Sequence, residues 1–165
     1  MRCLRPIVSL IVGISAVTPL AAQTEILCER DGFTLKKAHD SLYWINDFRL
    51  PYPVYQFQTG DVDGDGSTDA MVGVIKATRF YPTKARRLFI FKRINKKARP
   101  MWMGSRLGGI LEDFRYIDGK IRALESTTDS LYVVSDYKWA GFGMTFDRHL
   151  IKATDKQTAI KTFSQ

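Results

Sequence analysis

Cysteine and histidine are scarce in this chain of 165 residues: Cys3, Cys28, His39 and His149 are all there are. Transition metals prefer such thiolate and imidazole ligands, so the composition points away from them. Helical periodicity sustained over three turns is missing, which leaves strands as the main element. No apolar run reaches the length of about 20 residues that a membrane helix needs. Acidic residues are absent between Asp69 and Glu112.

The most apolar stretch, IVSLIVGISAV at 7–17, follows Arg2 and Arg5 and precedes Pro19 and the small residues Ala21 and Ala22. A basic start, a short apolar run and small residues predict a secretory signal peptide over 1–22, cleaved after Ala22; an uncleaved anchor is the alternative. Glu25-Ile26-Leu27 before Cys28 lacks the small residues of a lipidation box. Cleavage leaves 23 basic against 17 acidic residues, a net charge of +6, and one cysteine. Cys28 then has no internal disulfide partner, and is left as a thiol or an intermolecular bridge. An exported domain of this kind must hold together by its core, with a metal as the other available staple. About 140 mature residues, 23–165, suit one domain.

Short alternating or wholly apolar runs recur, at 33–36, 42–45, 54–59, 70–77, 87–94, 112–117, 120–125, 131–137 and 144–151. They predict an all-β domain of small antiparallel sheets, in the form of a sandwich, a barrel or propeller-blade-like sheets. Asp118-Gly119 between FRYI and KIRAL is the strongest hairpin signal, a pair suited to positive φ in a type I′ turn. Pro51 and Pro53 belong outside a ladder or at its edge. Residues 152–165 have few large apolar side chains and are expected to form a weakly attached tail or a short helix.

Between YQFQT and AMVGVI lies GDVDGDGSTD, residues 60–69. Asp61, Asp63 and Asp65 fall at positions 1, 3 and 5 of a turn, Gly66 at 6 and Asp69 at 9, offsets at which hard oxygen ligands take Ca²⁺. The expected ligands are the side chains of Asp61, Asp63, Asp65 and Asp69 and the carbonyl of Ser67. An EF-hand would place a bidentate glutamate at position 12, where Val72 stands. Mg²⁺ is less suited, since it keeps a compact octahedron with several waters; a solvated turn is the bland alternative. The segment TGDVDGDGSTDAMVGV resembles the calcium hairpin of FG-GAP or VCBS-type repeats, the integrin α-chain propeller motif, over about residues 54–77. One copy implies a calcium site and a hairpin, not a whole propeller, and the calcium it implies is structural.

Eleven basic residues fill the stretch without acids: Lys76, Arg79, Lys84, Arg86, Arg87, Lys92, Arg93, Lys96, Lys97, Arg99 and Arg106. Two readings stand: a face for an anionic partner such as an acidic glycan, or a buried strand, Leu88-Phe89-Ile90-Phe91, with solvated ends. Arg86, Arg87, Lys96 and Lys97 are the candidate contacts. Trp102, Trp139 and Phe142, in two glycine-containing aromatic stretches, either join them in a docking surface or fill the core. Export argues against nucleic acid as the partner.

Catalytic patterns are weak. Ser135-Asp136-Tyr137-Lys138 has S-x-x-K spacing but lies in a strand-like run, and Gly104-Ser105-Arg106-Leu107-Gly108 misses the nucleophile elbow. Asp147-Arg148-His149 places acid near base, and adjacent Glu112 and Asp113 point to opposite faces of a strand. The reading is a non-catalytic, calcium-binding interaction module, exported to the periplasm, the cell surface or beyond, with an unidentified protein or anionic glycan as partner. Small periplasmic lysozyme-inhibitor-like β proteins are similar in size and in having a single aspartate-rich loop, which makes inhibition one alternative; a hydrolase using Ser135 or His149 is another.

Overall fold

The computed structural model describes residues 24–79, 81–104 and 107–165; the expected signal peptide, Ser105 and Arg106 lie outside them. Twelve strands run in chain order: β1 (Glu25–Arg30), β2 (Phe33–His39), β3 (Leu42–Ile45), β4 (Phe48–Leu50), β5 (Val54–Gly60), β6 (Asp69–Lys76), β7 (Ala85–Ile94), β8 (Lys97–Met103), β9 (Ile110–Ile117), β10 (Lys120–Ser126), β11 (Tyr132–Trp139) and β12 (Met144–Thr154). They form three antiparallel sheets of four consecutive strands each, β1 to β4, β5 to β8 and β9 to β12, and the expected all-β class holds. None of the sheets closes into a barrel.

The middle sheet is covered on both faces, which is why its two central strands are wholly apolar rather than alternating. On β6 and β7, Ala70, Val72, Val74, Phe89 and Phe91 pack with Phe33, Leu35, Ile45 and Leu50 of the first sheet. Their alternate neighbours Met71, Leu88 and Ile90 pack with Leu111, Phe114, Ile121 and Ala123 of the third. Strand side chains alternate between faces, so two adjacent runs of sequence build both cores. Each fully buried Leu, Ile or Phe contributes about 2 kcal/mol relative to exposure.

Turn chemistry fixes the register. Asp118 and Gly119 take φ of 48° and 75°, and Ile117 pairs with Lys120, so this hairpin forms as expected. Asp31 and Gly32, at φ of 50° and 80°, do the same between β1 and β2. Asn95 and Lys96, at 51° and 64°, join β7 to β8.

The stretch 152–165 takes the second of its two expected forms and is not weakly attached. It completes β12 and then forms helix α1 (Lys156–Ser164), whose Ala159 and Phe163 pack on Leu124 and Val134 of the outer face of the third sheet. Asp155 caps the helix, its Oδ1 accepting the Thr158 N–H at 3.0 Å and its Oδ2 the Thr158 hydroxyl at 2.6 Å. The Arg115 guanidinium donates to the Phe163 carbonyl at 2.9 Å. Among the described residues no helix is long and apolar enough to cross a membrane.

Phe163→Ala should therefore lower the unfolding free energy by about 3 kcal/mol in urea denaturation, and Asp155→Ala by about 1 kcal/mol. A loss of less than about 0.5 kcal/mol in the first variant, the range of a surface change, would mean that the helix does not contribute to the fold.

Candidate metal centre

The acidic loop joins β5 to β6 and is stitched internally by its own backbone. Asp61 Oδ1 accepts the Gly64 N–H at 2.7 Å and its Oδ2 the Gly66 N–H at 2.8 Å. Asp65 Oδ1 accepts the Ser67 N–H at 2.8 Å. Gly64 and Gly66 sit at φ of 75° and 83°, a region a side chain would disfavour, and this is what lets alternate carboxylates turn to one side. The carboxylate oxygens of Asp61, Asp63 and Asp65 come within 4.8 Å of one another, a group able to hold a metal ion. Ser67 presents its N–H to the loop through Asp65.

Asp69, at the start of β6, is fully buried and is not one of the three converging carboxylates. Its Oδ2 accepts the Val62 N–H at 3.0 Å, while Oδ1 has no hydrogen-bond partner. A buried, unpartnered carboxylate oxygen is unfavourable by itself. Burial raises the Asp69 carboxyl to about 6, with the Val62 N–H opposing and the Asp63 charge adding to the rise.

One cation already serves the group. Lys92 on β7 reaches Asp63 Oδ2 at 2.7 Å and also pairs with Asp65 Oδ2. The hydrogen bonds it donates to both carboxylates hold its ammonium well above the ordinary lysine range and keep it charged. The same contact holds Asp65 below the usual carboxylate range. Sequence reading placed Lys92 only among the basic run. Its role follows from register: Ala70 pairs with Phe91, so the next step along the ladder sets Lys92 beside Asp69.

All three sheets meet at the loop. Tyr116 of β9 donates its hydroxyl to the Asp61 carbonyl at 2.9 Å. Thr59 donates to Asp31 Oδ2 of the first hairpin at 2.6 Å. Gln58 bridges β5 to β9, its Oε1 accepting the Tyr116 N–H at 2.7 Å.

The expected partner-binding residues do not form one surface. Trp102 is 9% exposed and Arg87 8%, both parts of the interior, which corrects their reading as contact residues. Arg86 donates to the Glu112 carbonyl and lies over the Tyr55 ring at 4.9 Å. Trp139 packs against the core between the second and third sheets. Lys96 and Lys97 are exposed at the β7 to β8 turn. Phe142 stands 93% exposed at the turn between β11 and β12.

Of the catalytic patterns, Ser135 and Lys138 lie an odd number of residues apart on β11 and so face opposite ways. Asp147 pairs with Lys120 and Lys138. Ser135 is fully buried, its Oγ 3.0 Å from His149 Nδ1 across the ladder.

The raised Asp69 carboxyl fixes a sign. The group is more acidic in the unfolded chain, so in metal-free buffer its penalty is absent below about pH 4 and complete above about pH 6. Relative to Asp69→Asn, wild-type stability should fall by at most about 3 kcal/mol across that window. Urea denaturation of both proteins at pH 4, 5, 6 and 7 measures it; parallel curves would show that Asp69 titrates normally.

No family model, no curated protein and no solved structure matches the chain.

Proposed function

We propose that the protein is an exported calcium-binding β domain that acts as a non-catalytic interaction module, with Ca²⁺ bound structurally by the β5 to β6 loop. The observation that carries this reading is the convergence of the Asp61, Asp63 and Asp65 carboxylates, with the buried Asp69 at the end of the same loop keeping one oxygen without a partner. An oxygen-only donor set of this kind suits a hard cation, and the flexible geometry of Ca²⁺ tolerates carboxylates of unequal burial. Asp61, Asp63, Asp65 and Asp69 would hold the ion, with the Ser67 carbonyl as the backbone ligand. The resemblance of the loop to FG-GAP or VCBS-type hairpins points the same way.

The ion's work would be mechanical. Tyr116, Thr59 and Lys92 bring the third, first and second sheets to this turn, so neutralising the loop fastens the point where they converge. Interaction would then fall to what the framework presents outward, with Phe142 the most exposed large apolar side chain. Export is supported by the amino-terminal sequence, a basic start followed by a short apolar run and small residues.

Thermal melts of the chain in excess Ca²⁺ and in chelator test the reading. At a free ion concentration about 100 times the dissociation constant, stability should rise by about 2.7 kcal/mol. Asp65→Ala should lose that rise while changing little in chelator. Lys92→Met should be less stable than wild type in chelator and gain more from Ca²⁺, because the competing ammonium is gone. The absence of any calcium-dependent rise in wild type and in Lys92→Met would reduce the loop to a solvated turn.

A further inference from the structure

The inner face of the first sheet lies against the second sheet through Phe33, Leu35, Tyr43, Ile45 and Leu50. Strand side chains alternate between faces, so Lys36, Trp44 and Arg49, each next in sequence to one of these core residues, turn the other way. Burial follows the same alternation. On β3 Tyr43 and Ile45 are buried while Trp44 between them is partly exposed, and on β4 Leu50 is buried while Arg49 is exposed. The outer face of such a sheet ordinarily carries polar side chains; this one carries a tryptophan.

Register sets these side chains in one line. Ile26 of β1 pairs with Lys36 of β2, Lys36 with Trp44 of β3, and Trp44 with Arg49 of β4. Residues directly opposed in antiparallel strands share a face, with Cβ atoms about 5 Å apart. The indole therefore stands between an ammonium and a guanidinium whose strands are about 10 Å apart. Ile26, 57% exposed, extends the row at its far end. Trp102 and Trp139 pack in the core between the second and third sheets, whereas Trp44 joins none of the three hydrophobic clusters of the described residues.

Among the described residues neither Lys36 nor Arg49 forms an ion pair. All 17 acidic residues of the chain are described, so no other part of the sequence holds an acid that could pair with them. Glu29, the acid of the adjoining row, accepts the Thr34 hydroxyl at 3.4 Å. Lys37, the neighbour of Lys36, is by contrast paired with Asp40 at 2.7 Å.

An aromatic ring open to water with a cation on either side fits a ligand that has an apolar ring face and anionic groups at its rim. A uronic-acid sugar has this form: the C–H groups of its ring cover the indole, and carboxylates on it and on its neighbour meet Lys36 and Arg49. A row across four strands favours a chain of such sugars over a single one. A neutral glycan would leave both cations without a counter-charge. Single-stranded nucleic acid also offers rings and anions, but the platforms that bind it stack successive bases on several aromatics, and Trp44 is the one aromatic in its row.

We infer that the outer face of the first sheet binds an acidic polysaccharide of the uronate class, with a sugar ring over Trp44 and carboxylates at Lys36 and Arg49. This rests on the reading of the protein as an exported interaction module and names its partner; it does not call on the metal loop.

Calorimetric titration of the full chain in chelator tests the assignment, with hexagalacturonate, its methyl ester, polyglutamate of equal charge and an oligothymidylate as ligands. Calcium is kept out, so the metal reading stands or falls by its melts and this one by the titration. Hexagalacturonate should bind about tenfold more tightly than the ester, as two exposed ion pairs predict, and the advantage should shrink as salt is raised. Lys36→Gln combined with Arg49→Gln should remove the advantage. Trp44→Ala should weaken acid and ester alike while leaving their ratio, and should abolish the change in indole fluorescence that binding gives in wild type. Absence of saturable hexagalacturonate binding, equal affinity for acid and ester, equal affinity for polyglutamate, or an advantage that survives the double variant would overturn the assignment. Tighter, Trp44-dependent binding of the oligothymidylate would give the face to nucleic acid and overturn it equally.

Discussion

Like charges held within one turn are the constraint around which this molecule is arranged. Carboxylate oxygens of Asp61, Asp63 and Asp65 lie within 4.8 Å of one another, close enough for their like charges to repel. Backbone N–H groups of Gly64, Gly66 and Ser67 absorb part of that field. Lys92 supplies a full positive charge from the adjacent hairpin. Asp69 is the exception, since its Oδ1 accepts no hydrogen bond and Lys92 reaches it only through space. The loop is thus balanced on its outer side and unbalanced on its inner one, and an added cation would act where the imbalance remains.

The layered sheets explain why such a loop is tolerated. A turn carrying four acids gains little from burial, so its conformation must be set by its neighbours. β6 and β7 are buried on both faces and cannot shift register without moving two cores at once. That rigidity places Lys92 beside the loop and Tyr116 against the Asp61 carbonyl. The dense basic run 76–106 also looks different in this light. Lys92 serves Asp63 and Asp65, Arg99 pairs with Asp47, and Lys76 meets the Tyr52 hydroxyl at 3.2 Å. Three of the eleven basic residues are thus engaged within the protein.

What could be read from the sequence follows from how much each strand buries. The runs 70–77 and 87–94 announced themselves because both faces are apolar, and Asp118-Gly119 because its flanks alternate. The strands that pattern missed, β1, β4 and β8, all lie at sheet edges. An edge strand buries few residues; β1 has none fully buried, and β8 only Ala98 and Trp102 among charged neighbours and Pro100. The sequence therefore left Trp102 open between a docking surface and the core. Asp31-Gly32 carries the same turn signal as Asp118-Gly119, but EILCER before it shows no period to confirm a hairpin. At the loop, spacing identified Asp61, Asp63 and Asp65, whereas Lys92 is 27 residues from Asp65 and becomes visible only once the two apolar runs are paired. Asp155 before helix α1 was a legible cap, obscured by a helix with only two buried residues.

The internal cation has a consequence for affinity. A metal entering the group must release Lys92 from Asp63 and Asp65, so part of the Coulomb energy it gains there replaces an interaction already present. The net gain concentrates at Asp61 and Asp69, the two carboxylates that Lys92 leaves without an ion pair. On the proposed reading, a loop built this way would bind its ion more weakly than the same four acids without the lysine, and Lys92 would already offset part of the repulsion when the loop is empty. Were the ion calcium, that combination would suit surroundings like those of extracellular modules, which bind it in the range of about 10⁻⁴ to 10⁻³ M. On that reading the lysine would separate two properties that an acidic turn otherwise joins: the framework would persist without metal, and a metal would adjust how firmly the three sheets are held together.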